Sequence, residues 1–262
     1  MNNNPIGVFD SGVGGTSIWK EIITLLPNEN TIYLADVKNA PYGEKSAEEI
    51  QKLSIKNTEL LISLGCKIIV VACNTATTNA ITLLRETYDI PFIGIEPAIK
   101  PAALLSSNKA IGILATKGTL SSSLFAKTSG MYANGIDVAE VKGTGLVELI
   151  EAGKLHTDEM RELLAHYLEP MLAKNIDYLV LGCSHYPYLL PILKELLPEH
   201  VTIIDSGEAV ARQTHKILIN NELLASERDH TAHLLYSNLE TKVLTQLIND
   251  VDANKDISYL DF

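Results

Sequence analysis

The sequence predicts an α/β protein of two pseudo-symmetric three-layer domains with mainly parallel sheets. Three observations carry that prediction. Short apolar β-type runs alternate with helical stretches along almost the whole chain. The runs are apolar at every position, which marks strands covered on both faces, as in parallel sheets between helical layers. A faint internal repeat then relates the first part of the chain to the second.

Residues 5–10 read as a buried strand and 14–26 as a helix opened by glycines. Residues 31–35 form a strand, and 47–64 carry the apolar spacing of an amphipathic helix. The run Lys-Ile-Ile-Val-Val-Ala at 67–72 is a strand, followed by a helix over 75–88. A strand at 91–95 and a helical stretch at 100–105 close the first series. Strands follow at 110–114, 137–140, 178–181 and 201–204, with helices at 146–153, 157–174, 188–197 and 208–219 between and after them. The end of the chain reads as a strand at 232–236 and a helix at 239–248.

The repeat is specific in two places. Ile6-Gly7-Val8-Phe9-Asp10-Ser11 resembles Ile111-Gly112-Ile113-Leu114-Ala115-Thr116, 105 residues later. Val70-Val71-Ala72-Cys73-Asn74-Thr75 resembles Val180-Leu181-Gly182-Cys183-Ser184-His185, 110 residues later. Similar offsets indicate two α/β halves of one topology, each with a cysteine at a strand end. The chain of 262 residues is long enough for two small domains. We expect residues 1–96 plus about 206–262 to form the first domain and 97–205 the second, with the crossover near Glu96-Pro97.

Composition narrows the function. Apolar residues make up 46 % and charged residues 20 %, as in ordinary soluble domains. Apolar runs such as 68–73 are far shorter than the ~20 residues of a membrane span. Met-Asn-Asn-Asn-Pro at the start has no basic-then-apolar signal pattern. Three cysteines cannot all pair, and a chain of this length needs no disulfide staples, so free thiols in the cytoplasm are expected. With 21 basic against 32 acidic residues the formal charge is −11, which disfavours a general nucleic-acid surface. A small anionic substrate remains open.

Cys73 and Cys183 are the leading chemical candidates. Each ends an apolar run and opens a polar segment, Cys-Asn-Thr or Cys-Ser-His. Ligands of parallel sheets bind beyond the carboxyl ends of strands, and a helix start there favours a thiolate. A lone cysteine is more often a small buried apolar residue; two in equivalent repeat positions favour function. Cys66, in a helix-to-strand turn, is read as structural. The spacing Cys183-x-His185 with a distant Cys73 does not match a structural zinc site, and no metal is expected. Asp10-Ser11-Gly12-Val13-Gly14-Gly15 has neither the dinucleotide nor the P-loop pattern, so its glycines point instead to close approach of backbone and a small ligand. Asp10 is a proton relay, an ammonium partner or a helix cap. Pro41, Tyr42 and Gly43 form a loop that can offer donors to a ligand. His185 can carry a proton, and Glu151 can orient a histidine or simply face solvent. Asp205-Ser206-Gly207 reads chiefly as helix capping.

No pyridoxal-phosphate lysine context and no nucleotide fingerprint are evident, so no cofactor is expected. Two facing thiols still support one reaction without a cofactor. One thiolate takes a proton from a stereocentre, and the other thiol returns one to the opposite face.

The sequence closely resembles the cofactor-independent glutamate racemases of bacterial cell-wall synthesis over nearly its whole length. The resemblance is carried by Gly7–Gly15, Ala40-Pro41-Tyr42-Gly43, Val71–Ala76 and Gly182-Cys183-Ser184-His185-Tyr186-Pro187, supported by Ala115–Thr119 and Asp205–Gly207. It implies an active site in the cleft between two domains, with Cys73 on the D-glutamate side and Cys183 on the L-glutamate side. It implies substrate contacts from Asp10, Ser11, Pro41, Tyr42, Gly43, Asn74, Thr75, Thr119, Ser184 and His185. Asp10 and His185 would assist the two thiols, with Glu151 beside His185. It also implies a homodimer and a product used for peptidoglycan.

There are departures from the family pattern. Ser184 stands where Thr is usual, keeping a hydroxyl, and Asn39 where Arg is frequent. The Gly-Leu-Val-Glu-Leu-Ile run over 145–150 replaces an apolar-Val-Pro pattern before Glu151. Rival readings are a related racemase, thiol isomerase or decarboxylase of the same superfamily, a non-catalytic module that binds a protein such as a topoisomerase, and a zinc site.

Overall fold

The computed structural model describes residues 2–227 and 230–262. The first series of elements is β1 (Ile6–Asp10), α1 (Thr16–Leu25), β2 (Thr31–Ala35), α2 (Ala47–Ser63), β3 (Ile68–Val71), α3 (Asn74–Thr87) and β4 (Phe92–Gly94). Its strands are parallel in the order β2-β1-β3-β4. Crossovers between parallel strands are right-handed, so reversing direction along the sheet puts α1 on one face and α2 and α3 on the other. The side chains follow. Ile6, Val8, Ile68 and Val70 pack with Ile18, Trp19 and Ile22 of α1. Phe9, Ile69 and Val71 pack with Ile50 and Leu61 of α2 and with Ala80 and Leu84 of α3. The capping box of Ser46 and Glu49 fixes the start of α2.

The second series is α4 (Ile99–Leu105), β5 (Ala110–Ala115), α5 (Lys117–Leu120), α6 (Ser123–Tyr132), β6 (Asp137–Lys142), α7 (Leu146–Glu151), α8 (Asp158–Ala173), β7 (Tyr178–Gly182), α9 (Leu190–Leu196) and β8 (Thr202–Ile204). Its parallel sheet runs β6-β5-β7-β8, the same order as the first with β5 in the place of β1 and β7 in the place of β3.

The correspondence reaches single residues. Gly7 is in register with Ile69, and Gly112 with Leu179, which are the positions the two sequence offsets relate. A Cβ on Gly7 would lie 3.0 Å from Cys66 and 3.1 Å from Leu61, and one on Gly112 would lie 2.9 Å from both Ile176 and Met171. Ile176 and Met171 each follow Cys66 and Leu61 by the second offset. One packing solution, a helix and its exit turn pressed on a bare strand position, occurs in both halves.

After β8, α10 (Gly207–Asn220) returns to pack against α1. Then β9 (His233–Ser237), α11 (Lys242–Leu247) and β10 (Lys255–Tyr259) follow, the two strands extending the first sheet beyond β2. Where the chain crosses between halves, Ser206 Oγ donates to the carbonyl of Glu96 at 2.5 Å. The capping expected of Asp205-Ser206-Gly207 falls to Asp205, which accepts the Gly207 N–H at 2.7 Å.

The sequence expectations need correction at four places. α5, α6 and β10 lie outside the predicted elements, and residues 188–197 are not one helix. A 3-10 turn over Tyr186–Leu189 precedes the short α9, with Pro187 and Pro191 each near the start of its own segment. One apolar cluster runs from the α1–α10 face of the first sheet to the α7–α9 face of the second, and joins the halves. Among the described residues no helix is long and apolar enough to cross a membrane.

Candidate active site

The carboxyl ends of β1 and β3 face those of β5 and β7 across a cleft. Ser11, Pro41, Tyr42, Gly43, Cys73, Asn74, Thr75, Thr116, Val147, Cys183, Ser184 and His185 enclose a cavity there of about 10 Å³. That is room for about one water, so an amino acid enters only if the halves part. Larger hollows lie elsewhere; one of about 1130 Å³ is lined by Cys66, Arg85 and Phe92 among others and reaches neither Cys73 nor Cys183. Chemistry, not volume, makes the small cavity the candidate site.

Cys73 follows β3 and stands at the N-cap of α3, where its Sγ accepts the Ala76 N–H at 3.4 Å. Ser11 Oγ lies 3.6 Å from the sulfur. Burial and then the nearby Asp10 carboxylate push the Cys73 thiol well above its ordinary range, against the pull of Ala76 and Ser11. Cys66, also buried, is pushed up to about 12.

Cys183 follows β7 but does not open an α-helix, contrary to expectation; the 3-10 turn comes next. Its neighbour is instead His185, whose Nδ1 lies 3.7 Å from Sγ. His185 Nε2 lies 2.6 Å from Glu151 Oε1 at the end of α7. Burial works to lower the His185 pKa, yet its bonds to Cys183 and Glu151 raise it well above the usual value. An imidazolium has an N–H on each side for these two partners.

Asp10 ends β1 fully buried. Burial raises its pKa, opposed by the His185 charge and by the Gly15 N–H that donates to Oδ2 at 2.9 Å. Its other oxygen accepts Ser184 Oγ at 3.1 Å, a bond between the halves. Tyr42 is held by its hydroxyl, 2.5 Å from buried Asp36, which also meets Lys56 Nζ at 3.2 Å and Asn39 Nδ2 at 2.7 Å. Asn74 is buried with both ends of its amide without a protein partner. In a site this buried, an unpaired amide calls for a polar partner.

Of the sequence-proposed residues, the cavity wall collects Ser11, Pro41, Tyr42, Gly43, Cys73, Asn74, Thr75, Cys183, Ser184 and His185. Asp10 and Glu151 stand directly behind it through Ser184 and His185. Thr119 is fully buried and bonds Thr116 at 3.1 Å and Thr75 at 3.3 Å, while Thr116 takes the place on the wall. Thr116, Val147 and Asp36 escaped the sequence reading. Thr116 lay within a quoted motif, and Asp36 stands just past the end of β2 while Asp10 is the last residue of β1; Val147 gave no signal. Among the described residues, no group of three or more His, Cys, Asp or Glu is placed to hold a metal ion.

The profile of the Asp/Glu/Hydantoin racemase family matches residues 6–214. A glutamate racemase of Ectopseudomonas mendocina is 50 % identical over 224 residues, 85 % of each chain. An Escherichia coli glutamate racemase solved in complex with L-glutamate superposes with a TM-score of 0.85 at 35 % identity, over 98 % of both chains. One from Francisella tularensis in complex with D-glutamate gives 0.84 at 29 % identity, over 99 % of this chain and 98 % of that one.

Proposed function

The chain belongs to the Asp/Glu/Hydantoin racemase family, and from that premise we propose that it interconverts L- and D-glutamate by proton transfer between two thiols. The observation that carries this reading is that Cys73 and Cys183 enter one buried cavity from equivalent strands of opposite halves. Glutamate, rather than another amino acid, is supported by relatives that are glutamate racemases at 48 % and 50 % identity.

In the L-to-D direction the Cys183 thiolate takes the α-proton, leaving the electron pair on the α-carbon. The Cys73 thiol gives its proton to the opposite face. The C–H bond broken is replaced by one of inverted configuration, and the thiols finish with exchanged protonation. D-to-L reverses every step. His185 steadies the Cys183 thiolate, with Glu151 orienting the imidazolium, and Asp10 serves the Cys73 step. Ser11, Asn74, Thr75, Ser184 and the Tyr42-Gly43 loop hold the substrate's polar groups, with Asn74 gaining the partners it lacks in the protein. Donors fixed around the developing charge, in a site without bulk water, supply most of the stabilisation such a carbanion needs. Residues 1–96 with 206–262 make the Cys73 domain and 97–205 the Cys183 domain. The chain acts as a cytoplasmic homodimer without a cofactor, and its D-glutamate feeds peptidoglycan, as the family resemblance implies.

The test is incubation of metal-stripped protein with L-glutamate in D2O without added cofactor. Circular dichroism should fall to zero as NMR shows deuterium at the α-carbon. No exchange on glutamate overturns the assignment, and faster exchange on aspartate redirects it.

A further inference from the structure

The loop between β1 and α1 presses on the second half at two bare positions. A Cβ at Gly12 would stand 1.9 Å from Glu151 Oε1, and one at Gly14 would stand 2.2 Å from His185 Nδ1. Neither glycine has a positive φ, so close approach, not backbone conformation, is what demands glycine here. Between them, the Val13 N–H donates to Glu151 Oε1 at 2.7 Å, the oxygen that also meets His185. Further bonds run from the same part of the first half. Ser17 Oγ donates to the Ser184 carbonyl at 2.7 Å, Thr16 and Tyr188 share a bond of 2.6 Å, and Tyr33 braces the loop through the Gly12 carbonyl at 2.8 Å.

We propose that Gly12, Val13 and Gly14 are positioning residues for the Cys183 step. They fix the Glu151–His185 pair only when the halves are closed, so closure equips Cys183 for proton transfer while Cys73 is equipped within its own half. The proposal rests on the two-thiol reading above. A cavity of about 10 Å³ requires the cleft to open for substrate. Opening separates Val13 from Glu151, and with it the anchor that orients the imidazolium. Cys73 keeps Ser11 and the Ala76 N–H in either state, since all three belong to the first half.

The test compares α-deuterated L- and D-glutamate as substrates for the full chain and for Gly12→Ala. Glu151 ends in a flexible carboxylate, so the added methyl should turn it away rather than unfold the chain. We expect kcat to fall at least about tenfold, a fraction of the ~10²–10⁴ that a positioned acid–base group contributes. The deuterium effect from L-glutamate should rise, because Cys183 breaks that bond, and the effect from D-glutamate should shrink. Gly12→Ala combined with Glu151→Asp, whose shorter carboxylate leaves room, should recover part of the rate. Ser17→Ala, which adds no bulk, should shift the isotope effects in the same directions more weakly, and decides alone if Gly12→Ala does not fold. Unchanged kinetics, or deuterium effects from L- and D-glutamate that change alike, overturns the proposal. A wild-type chain that exchanges no α-proton instead overturns the reaction assignment itself.

Discussion

Cys73 and Cys183 leave equivalent strands of equivalent sheets, yet they are held in unlike ways. Cys73 has hydrogen-bonding neighbours drawn from its own half, Ser11 and the Ala76 amide. Cys183 has a histidine and a carboxylate, and that carboxylate is pinned by the other half through Val13. A repeated fold therefore supplied matching positions without matching support. Racemisation needs the positions to be symmetric, because both faces of one carbon must be reached. It does not need the supports to be symmetric, only that each thiol shuttle a proton at the working pH.

The strongest way to break this comparison is to remove each sulfur. Cys73→Ala and Cys183→Ala should each lower racemisation by at least about a thousandfold, within the range of general acid–base catalysis, when followed by circular dichroism. Cys66→Ala should leave the rate unchanged. Loss in only one of the first two would mean that the halves do not share the chemistry.

Glu151→Gln sharpens the comparison. It keeps the shape of the side chain but removes the charge that supports the imidazolium, and should cost about 10–100-fold in kcat with a larger deuterium effect from L- than from D-glutamate. Ser11→Ala should shift the balance the other way and by less, since its hydroxyl is a long 3.6 Å from Cys73.

Asp10→Asn separates stability from activity. Burial raises the Asp10 pKa in the folded chain, so the carboxyl favours the fold while protonated, below its unfolded value of about 3.9. That contribution is lost as pH rises through the folded pKa, which leaves a penalty at neutral pH. An amide can still accept from Gly15 and donate to Ser184. The substitution should raise Tm at pH 7 by about 2–4 °C, equivalent to ~1 kcal/mol, and the gain should vanish as pH approaches 3.5, while turnover falls. A Tm that drops at pH 7 would show that the charge on His185 dominates the site. The smallest effect belongs to the rim, where Glu44 of the first half meets Lys142 at 3.1 Å and Lys117 at 3.9 Å in the second. These exposed pairs are worth little. Glu44→Gln should change kcat/KM by less than about fivefold, and the change should disappear in high salt.

The buried strands and both thiols were legible because parallel strands leave runs such as Ile68–Val71, apolar on both faces. β10 was not, because a half-exposed edge strand reading Lys-Asp-Ile-Ser-Tyr has no such signature. α6 was missed for a related reason, since only Phe125 of its ten residues is buried. In the site, most motif residues acting through side chains were found, Thr116 excepted, and a residue acting through its backbone was not. Val13 contributes an amide, which any residue but proline offers, and nothing in its side chain announces that role. Glu151 lay at a position the sequence aligned poorly, and only the approach of α7 to His185 places it. Thr116 and Thr119 differ by one helical turn, and which of them reaches the cleft depends on how α5 meets Gly43: a Cβ on Gly43 would lie 2.9 Å from Thr116.

The cavity's size, about 10 Å³, bears on what the molecule retains between turnovers. On the proposed two-thiol mechanism, neither thiol trades protons with bulk solvent while the cleft is shut, so inversion of one L-glutamate leaves Cys183 protonated and Cys73 ionised. In that state the chain is primed for D-glutamate and blocked for a second L-glutamate. It therefore stores one bit, the hand of the last molecule it processed, and only opening to water erases it.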